Sequence, residues 1–359
     1  MSHQKNFRGG FALIIVMLAI FVLATLAATL SISMKVETRL ATTANDDQKM
    51  IWLARSAAEH ACYGLAMEAR IPNEQYRSLN QWWATGEAGP NETNSMLESF
   101  PQSWHFVDGS AFTYSITDLE RYANINVAPT PVLQQALTVM GVDADDMSII
   151  SDSIQDWVQP GDSPRIAGAK NDYYQSLNPP YNCKEGPIDD MSELLLVRGI
   201  SEHPEIFFGG SPSNVPPSPF QHQLGFANSA DQGAPPDYPF GLTNVFTPFS
   251  SGQININTAD AYVLQIIPGV DGSMATNIIQ YRQGENNDSD DPSFKNVGQI
   301  QAAGVSPAVA AQIGRYCSVM SYTFRVDITA TIGPDTRTFH AIIFQRGANV
   351  DIVNFYQDK

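Results

Sequence analysis

Arg8-Gly9-Gly10-Phe11-Ala12-Leu13-Ile14-Ile15-Val16 joins a short basic leader to an apolar run with no charged residue from Phe11 to Met34; the next charge is Lys35. A helix of that length reaches across a hydrocarbon core of ~30 Å. Lys5 and Arg8 precede the run with no acid, a bias that holds the N-terminus in the cytoplasm and sends the rest outward. A secretory signal would have an apolar core of only roughly 7–15 residues. The length therefore predicts a membrane helix.

Working outward, the helix is expected to continue. Leu40, Ala44, Ile51, Ala54, Ala58, Ala61, Leu65 and Ala69 recur at mostly three- and four-residue steps, the pattern of one buried face, and no Gly or Pro interrupts before Gly64. Pro72 is the expected stop. Residues 73–110 are rich in Asn, Gly and aromatics (Trp82, Trp83, Trp104) and read as loop with short strands. Ala111 to Ile116 alternates with period two, as do Tyr322 to Ile328 and Thr338 to Phe344 around a Gly333-Pro334-Asp335 turn. Val350 to Phe355 offers a further strand. A long helix on a small antiparallel sheet is an α+β fold.

Between these strand groups a pattern repeats. Asn124-Ile-Asn-Val-Ala128 followed by Val132-Leu-Gln134 returns as Asn255-Ile-Asn-Thr-Ala259 followed by Val263-Leu-Gln265. Each copy runs into a helix, a glycine turn (Met140-Gly141-Val142 or Pro268-Gly269-Val270) and a second helix holding Ile149-Ile150 or Ile278-Ile279. Asn126 and Asn257 suit turns or caps, with Pro129 and Asp260 near the helix starts. Two diverged helix-hairpin-helix units fit this alignment. Residues 201–250 are a Pro-, Gly- and Ser-rich connection (Pro216-Pro217, Pro235-Pro236), from which Leu242 to Thr247 is expected to return a strand to the sheet.

The 359 residues are 43% hydrophobic, enough for two or more subdomains, and carry a net charge of −17. Such an acidic balance argues against nucleic-acid binding, which needs clustered Lys and Arg. Enzyme chemistry has no support: the six histidines are scattered without metal-ligand spacing, and no nucleophile elbow, phosphate-cradling glycine loop or zinc-protease motif occurs. Of the three cysteines, Cys183 and Cys317 are the expected disulfide pair outside the cytoplasm, because Cys62 falls on the long helix; three free buried thiols are the alternative.

The basic-Gly-Gly-Phe junction resembles the leader of type IV pilins and pseudopilins. That resemblance implies cleavage by a prepilin peptidase between Gly10 and Phe11, methylation at the new N-terminus, and use of the helix as a filament core. Most such subunits carry a glutamate at the fifth mature position, here Ile15, which suits a subunit placed first, at the tip. The second repeat resembles the helix-hairpin-helix of competence and repair proteins, but Asp271 stands where a second hairpin glycine is usual.

The stretch Ile154-Gln-Asp156-Trp157, Asp162, Pro164-Arg165, Gly168-Ala169, Asp172-Tyr173-Tyr174, Pro180-Tyr181 and Glu193-Leu194-Leu195 to Arg198-Gly199-Ile200 is similar to the minor pseudopilin K family of type II secretion. The resemblance implies a pilin scaffold with a helical domain inserted between strands. The expected division is then a leader (1–10), a membrane part of the helix (11–34), its amphipathic continuation (35–71), first strands and loops (72–123), the inserted helical domain (124–317) and C-terminal strands (318–359). It also implies a single-pass inner-membrane protein with its bulk in the periplasm, and minor pseudopilins I and J as partners. A minor pilin of a type IV pilus is the alternative, and a DNA-capturing tip subunit an alternative of another class.

Members of that family bind calcium after the Asp-Trp motif. Residues 118–193 hold thirteen acids against four bases, and Asp156, Asp162, Asn171 and Asp172 are the candidate ligands of a cation that takes six to eight oxygens. The family's acid-rich run is thinned here, with Gln159-Pro160-Gly161 in its first part. Lys170-Asn171 stands where Glu-Asp is common, and a Lys170 ammonium is the alternative source of the ion's charge.

Overall fold

The computed structural model describes residues 9–358 apart from 72–74, 91, 93–95, 211–236 and 286–289. Helix α1 runs unbroken over Gly9–Glu68, 60 residues. Among the described residues it is the one helix long and apolar enough to cross a membrane. Its N-terminal half is exposed; its C-terminal half buries Met50, Ala54, Ala57, Ala58, Ala61 and Leu65. The buried stripe thus starts later than its apolar spacing suggests: Ala44 is exposed, Ile51 faces outward, and Ala57 takes an inner place. Alanine on this face lets the sheet close on the helix backbone. At Gly64 a Cβ would lie 2.1 Å from the Trp82 ring, so this glycine of the helix is there for close approach. The helix ends at Glu68, where Arg70 and Ile71 bond back to Met67 and Glu68 in tighter turns; Pro72 lies outside the described residues.

The chain then forms α2 (Trp82–Thr85), β1 (Ser103–His105) and β2 (Ser110–Asp118). After a long excursion it returns as β7 (Thr323–Ile332), β8 (Asp335–Arg346) and β9 (Asn349–Gln357), giving an antiparallel sheet of order β1-β2-β7-β8-β9. β2 and β7 are paired neighbours, Asp118 opposite Phe324. Alternate residues Phe324, Val326, Ile328 and Ala330 point at α1, and Trp82, Trp83 and Phe339 complete this first core.

The excursion has its own core. It holds β3 (Ala123–Asn124), α3 (Thr130–Met140), α4 (Ala144–Val158), α5 (Asn171–Gln175), α6 (Glu205–Phe208), α7 (Leu242–Val245), β4 (Phe246–Thr247), β5 (Ile254–Asn255), α8 (Ala261–Gln265), α9 (Gly272–Arg282), α10 (Pro307–Ile313) and β6 (Cys317–Ser318). The two repeats are the pairs α3–α4 and α8–α9, with Gly141 and Gly269 in the left-handed region at φ +89° and +91°. Leu242 to Thr247 does not rejoin the sheet: it is a helical turn followed by β4, which pairs in parallel with β3.

Candidate functional site

The repeats are built on their asparagines. In each, the first Asn accepts a backbone N–H two residues on, Asn126 N to Asn124 Oδ1 at 2.8 Å and Asn257 N to Asn255 Oδ1 at 2.9 Å. The second Asn then clamps a remote peptide with its whole amide. Asn126 donates to Ile188 O (3.0 Å) and accepts from Ile188 N (2.6 Å); Asn257 donates to Phe294 O and accepts from Phe294 N, both at 2.9 Å. Each unit is also closed by a parallel two-residue ladder, Asn124 with Thr247 and Asn255 with Ser318. The repeated triplet is therefore a folding device, used twice in one geometry.

The second unit meets the sheet through buried acids. Asp118 accepts from Ser321 Oγ (2.6 Å), Thr258 Oγ1 (2.5 Å) and Asn255 Nδ2 (3.3 Å), and its Oδ1 takes the Glu120 N–H at 2.8 Å. Glu120 accepts from Thr323 N (2.9 Å) and Ser251 N (3.1 Å). Burial, followed by the Asp118 charge, pushes Glu120 up to about 8, and burial raises Asp118 as well. These residues form the neck between the two cores. In the sequence their one signal is a strand-end Asp and Glu either side of a leucine, Asp118-Leu119-Glu120.

In nucleic-acid-binding versions of the hairpin, the backbone N–H groups at the start of the second helix face phosphate. Here the Asp271 carboxylate occupies that end of α9, accepting from Met274 N at 2.8 Å and Ser273 Oγ at 2.7 Å, and these bonds hold it below the usual carboxylate range. The motif's cation, Arg282, points inward and donates to Ile256 O and Ala259 O at 2.6 Å each. The hairpin's anion seat and its base are both spent on the fold.

The four candidate calcium ligands do not converge. Asp162 and Asp172 are exposed, and Asn171 is occupied by Cys183 N (2.8 Å) and Glu185 Oε1 (3.2 Å). Asp156 is buried, accepts Arg165 N at 2.9 Å, and has its Oδ2 where a Cβ on Gly168 would come within 2.0 Å. Among the described residues no group of three His, Cys, Asp or Glu could hold a metal. The expected Cys183–Cys317 bond is not formed. All three thiols are free and buried: Cys183 lies against Asp156 O, while Cys317 sits in β6 beside Ile254. Of the leader, residues 1–8 lie outside the described residues; Gly10 and Phe11 fall in the first turns of α1, and Ile15 is exposed on it.

Residues 114–204, from β2 through the first repeat and its clamp, match the family described as Type II secretion system (T2SS), protein K. Over this stretch the chain is similar to the type II secretion protein K family. Residues 250–313, the second repeat, match the helix-hairpin-helix motif. The putative type II secretion system protein K of Escherichia coli K12 is 25% identical over 213 residues, covering 56% of this chain. Protein K of Pectobacterium carotovorum is 26% identical over 218 residues, 55% of this chain. The chain spans 60% of the length of each of these curated relatives. The fold is similar to one in the crystal structure of the GspK-GspI-GspJ complex from the enterotoxigenic Escherichia coli Type 2 Secretion System. The TM-score is 0.61 at 17% identity, covering 89% of this chain and 99% of that one.

Proposed function

We propose that this chain is a minor pseudopilin that sits at the tip of the type II secretion pseudopilus and starts or caps its assembly for protein export across the outer membrane. The observation that carries the reading is the protein K match across 114–204 on a pilin-like scaffold. After a prepilin peptidase cuts between Gly10 and Phe11 and the new N-terminal amine is methylated, α1 anchors the chain in the inner membrane with its bulk in the periplasm. A charge at bilayer depth needs a partner. Ile15 offers none to the amine of a neighbouring subunit, which fits a place at the end of the filament. The inserted domain adds bulk on the same subunit. Its partners are the I and J pseudopilins of its own system, as supported by the similar fold crystallised with GspI and GspJ. Its role is structural rather than catalytic, and the geometry of α9 and Arg282 weighs against DNA capture.

Mixing decides this. Full chain in detergent, run by size-exclusion chromatography with light scattering together with its system's I and J pseudopilins, is expected to give a complex with one copy of each. Failure of folded partners to associate would overturn the tip assignment. Replacing Gly10 by a bulky residue is expected to leave the precursor uncut.

A further inference from the structure

The last turn of α4 ends at an ammonium group. Lys170 is buried, and its Nζ donates to Asp156 O at 2.7 Å and to Gln159 O at 2.5 Å. Those carbonyls belong to the C-terminal end of the helix, where the unpaired C=O groups and the helix dipole favour a positive charge. The chain between them, residues 160–169, folds back so that Arg165 N reaches the Asp156 carboxylate, Ala167 N reaches Asp152 Oδ2 (3.1 Å), and Arg198 holds Gly168 O (3.3 Å). The carbonyls at the end of α4 thus close on the Lys170 ammonium, a cation the chain itself supplies.

We propose that Lys170 is a built-in structural cation, so that this loop folds without the calcium implied by the family resemblance. The donor set supports this. Calcium takes six to eight oxygens at 2.3–2.6 Å, whereas two backbone carbonyls converge here and both face the ammonium. The Asp156 carboxylate, the sole buried acid among the four candidates, is engaged by Arg165 through its backbone N–H and through Nε at 3.7 Å. A divalent ion placed on these carbonyls would have to displace the buried ammonium that already bonds both of them.

The test is hydrogen exchange, followed by mass spectrometry on the full chain in detergent, at the end of α4 and across residues 159–172. Wild-type exchange is expected to be the same in chelator and in millimolar calcium. Lys170→Met keeps the length and removes the charge; it is expected to speed exchange there by about tenfold, since two charge-assisted bonds are lost. Lys170→Arg is expected to keep most of the protection. Slower wild-type exchange in calcium would overturn the proposal, as would wild-type protection in Lys170→Met. Should Lys170→Met not fold while Lys170→Arg does, the requirement for a cation stands, and the wild-type comparison still decides against or for calcium.

Discussion

The Glu68 carboxylate lies 3.0 Å from the Arg77 guanidinium, with the two side chains 0% and 5% exposed. This pair closes the end of the long helix. Arg77 also donates to Gln345 Oε1 (3.0 Å), and Gln345 donates to Leu65 O (2.8 Å), tying helix to β8. Removing one member of such a pair leaves the other charged and buried. Glu68→Gln is expected to lower stability by about 3–5 kcal/mol, read as a drop in the denaturant midpoint. Equal stability of mutant and wild type would show that the pair does not hold this junction.

The asparagine clamps predict an asymmetry. Asn257 is 2% exposed whereas Asn126 is half-buried. Asn257→Ala leaves Phe294 N and O without their partner in the dry core, and is expected to cost about 2–3 kcal/mol. Asn126→Ala, where water can reach, is expected to cost about half as much. Chemical denaturation of the two variants side by side measures the difference.

The neck predicts a pH dependence. Glu120 is pushed up to about 8, whereas an unfolded glutamate titrates near ~4.3. The folded state therefore binds this proton more tightly, and the stability it adds is full below the unfolded value and lost as pH rises through about 8. Between about pH 7 and about pH 9 the loss is roughly 1.4 kcal/mol. Melting temperature should fall over that window in the wild type, and Glu120→Gln should flatten the fall. Asp118, also raised, belongs to the same titrating pair.

The thiols predict silence. Cys62 is pushed up to about 12 by burial, and burial raises Cys183 and Cys317 too. All three should resist alkylation in the native protein at neutral pH and react once it unfolds. Reductant should leave the melting temperature unchanged; a drop would mean that a disulfide forms after all.

Much of this was legible in the residues. The apolar run before Lys35, the strand alternation around Gly333 and the twin asparagine triplets each state a local rule that tertiary packing obeys. What the sequence did not reveal lies where distant segments meet. Asp118 finds Thr258 and Ser321, Glu68 finds Arg77, and Asn257 finds Phe294, and no spacing along the chain marks such partners. On α1, Ala44 lies before the turns that the sheet covers, and Ile51 lies on the outer side of the turn whose inner side buries Met50. Leu242 to Thr247 ends in a two-residue ladder with β3, a pairing too short to leave a periodic trace along the chain. The paired cysteines failed for a different reason: each thiol fills a place in a core.

The insertion leaves the sheet after Asp118 and comes back before Phe324, and those two residues face each other across neighbouring strands. In mechanical terms it is a side branch. Tension applied along α1 passes into β2, β7, β8 and β9 through their ladder and is carried away without crossing the helical domain. A load pushed or pulled along α1 would therefore strain the small sheet and leave the helical domain undeformed, like a head on a shaft.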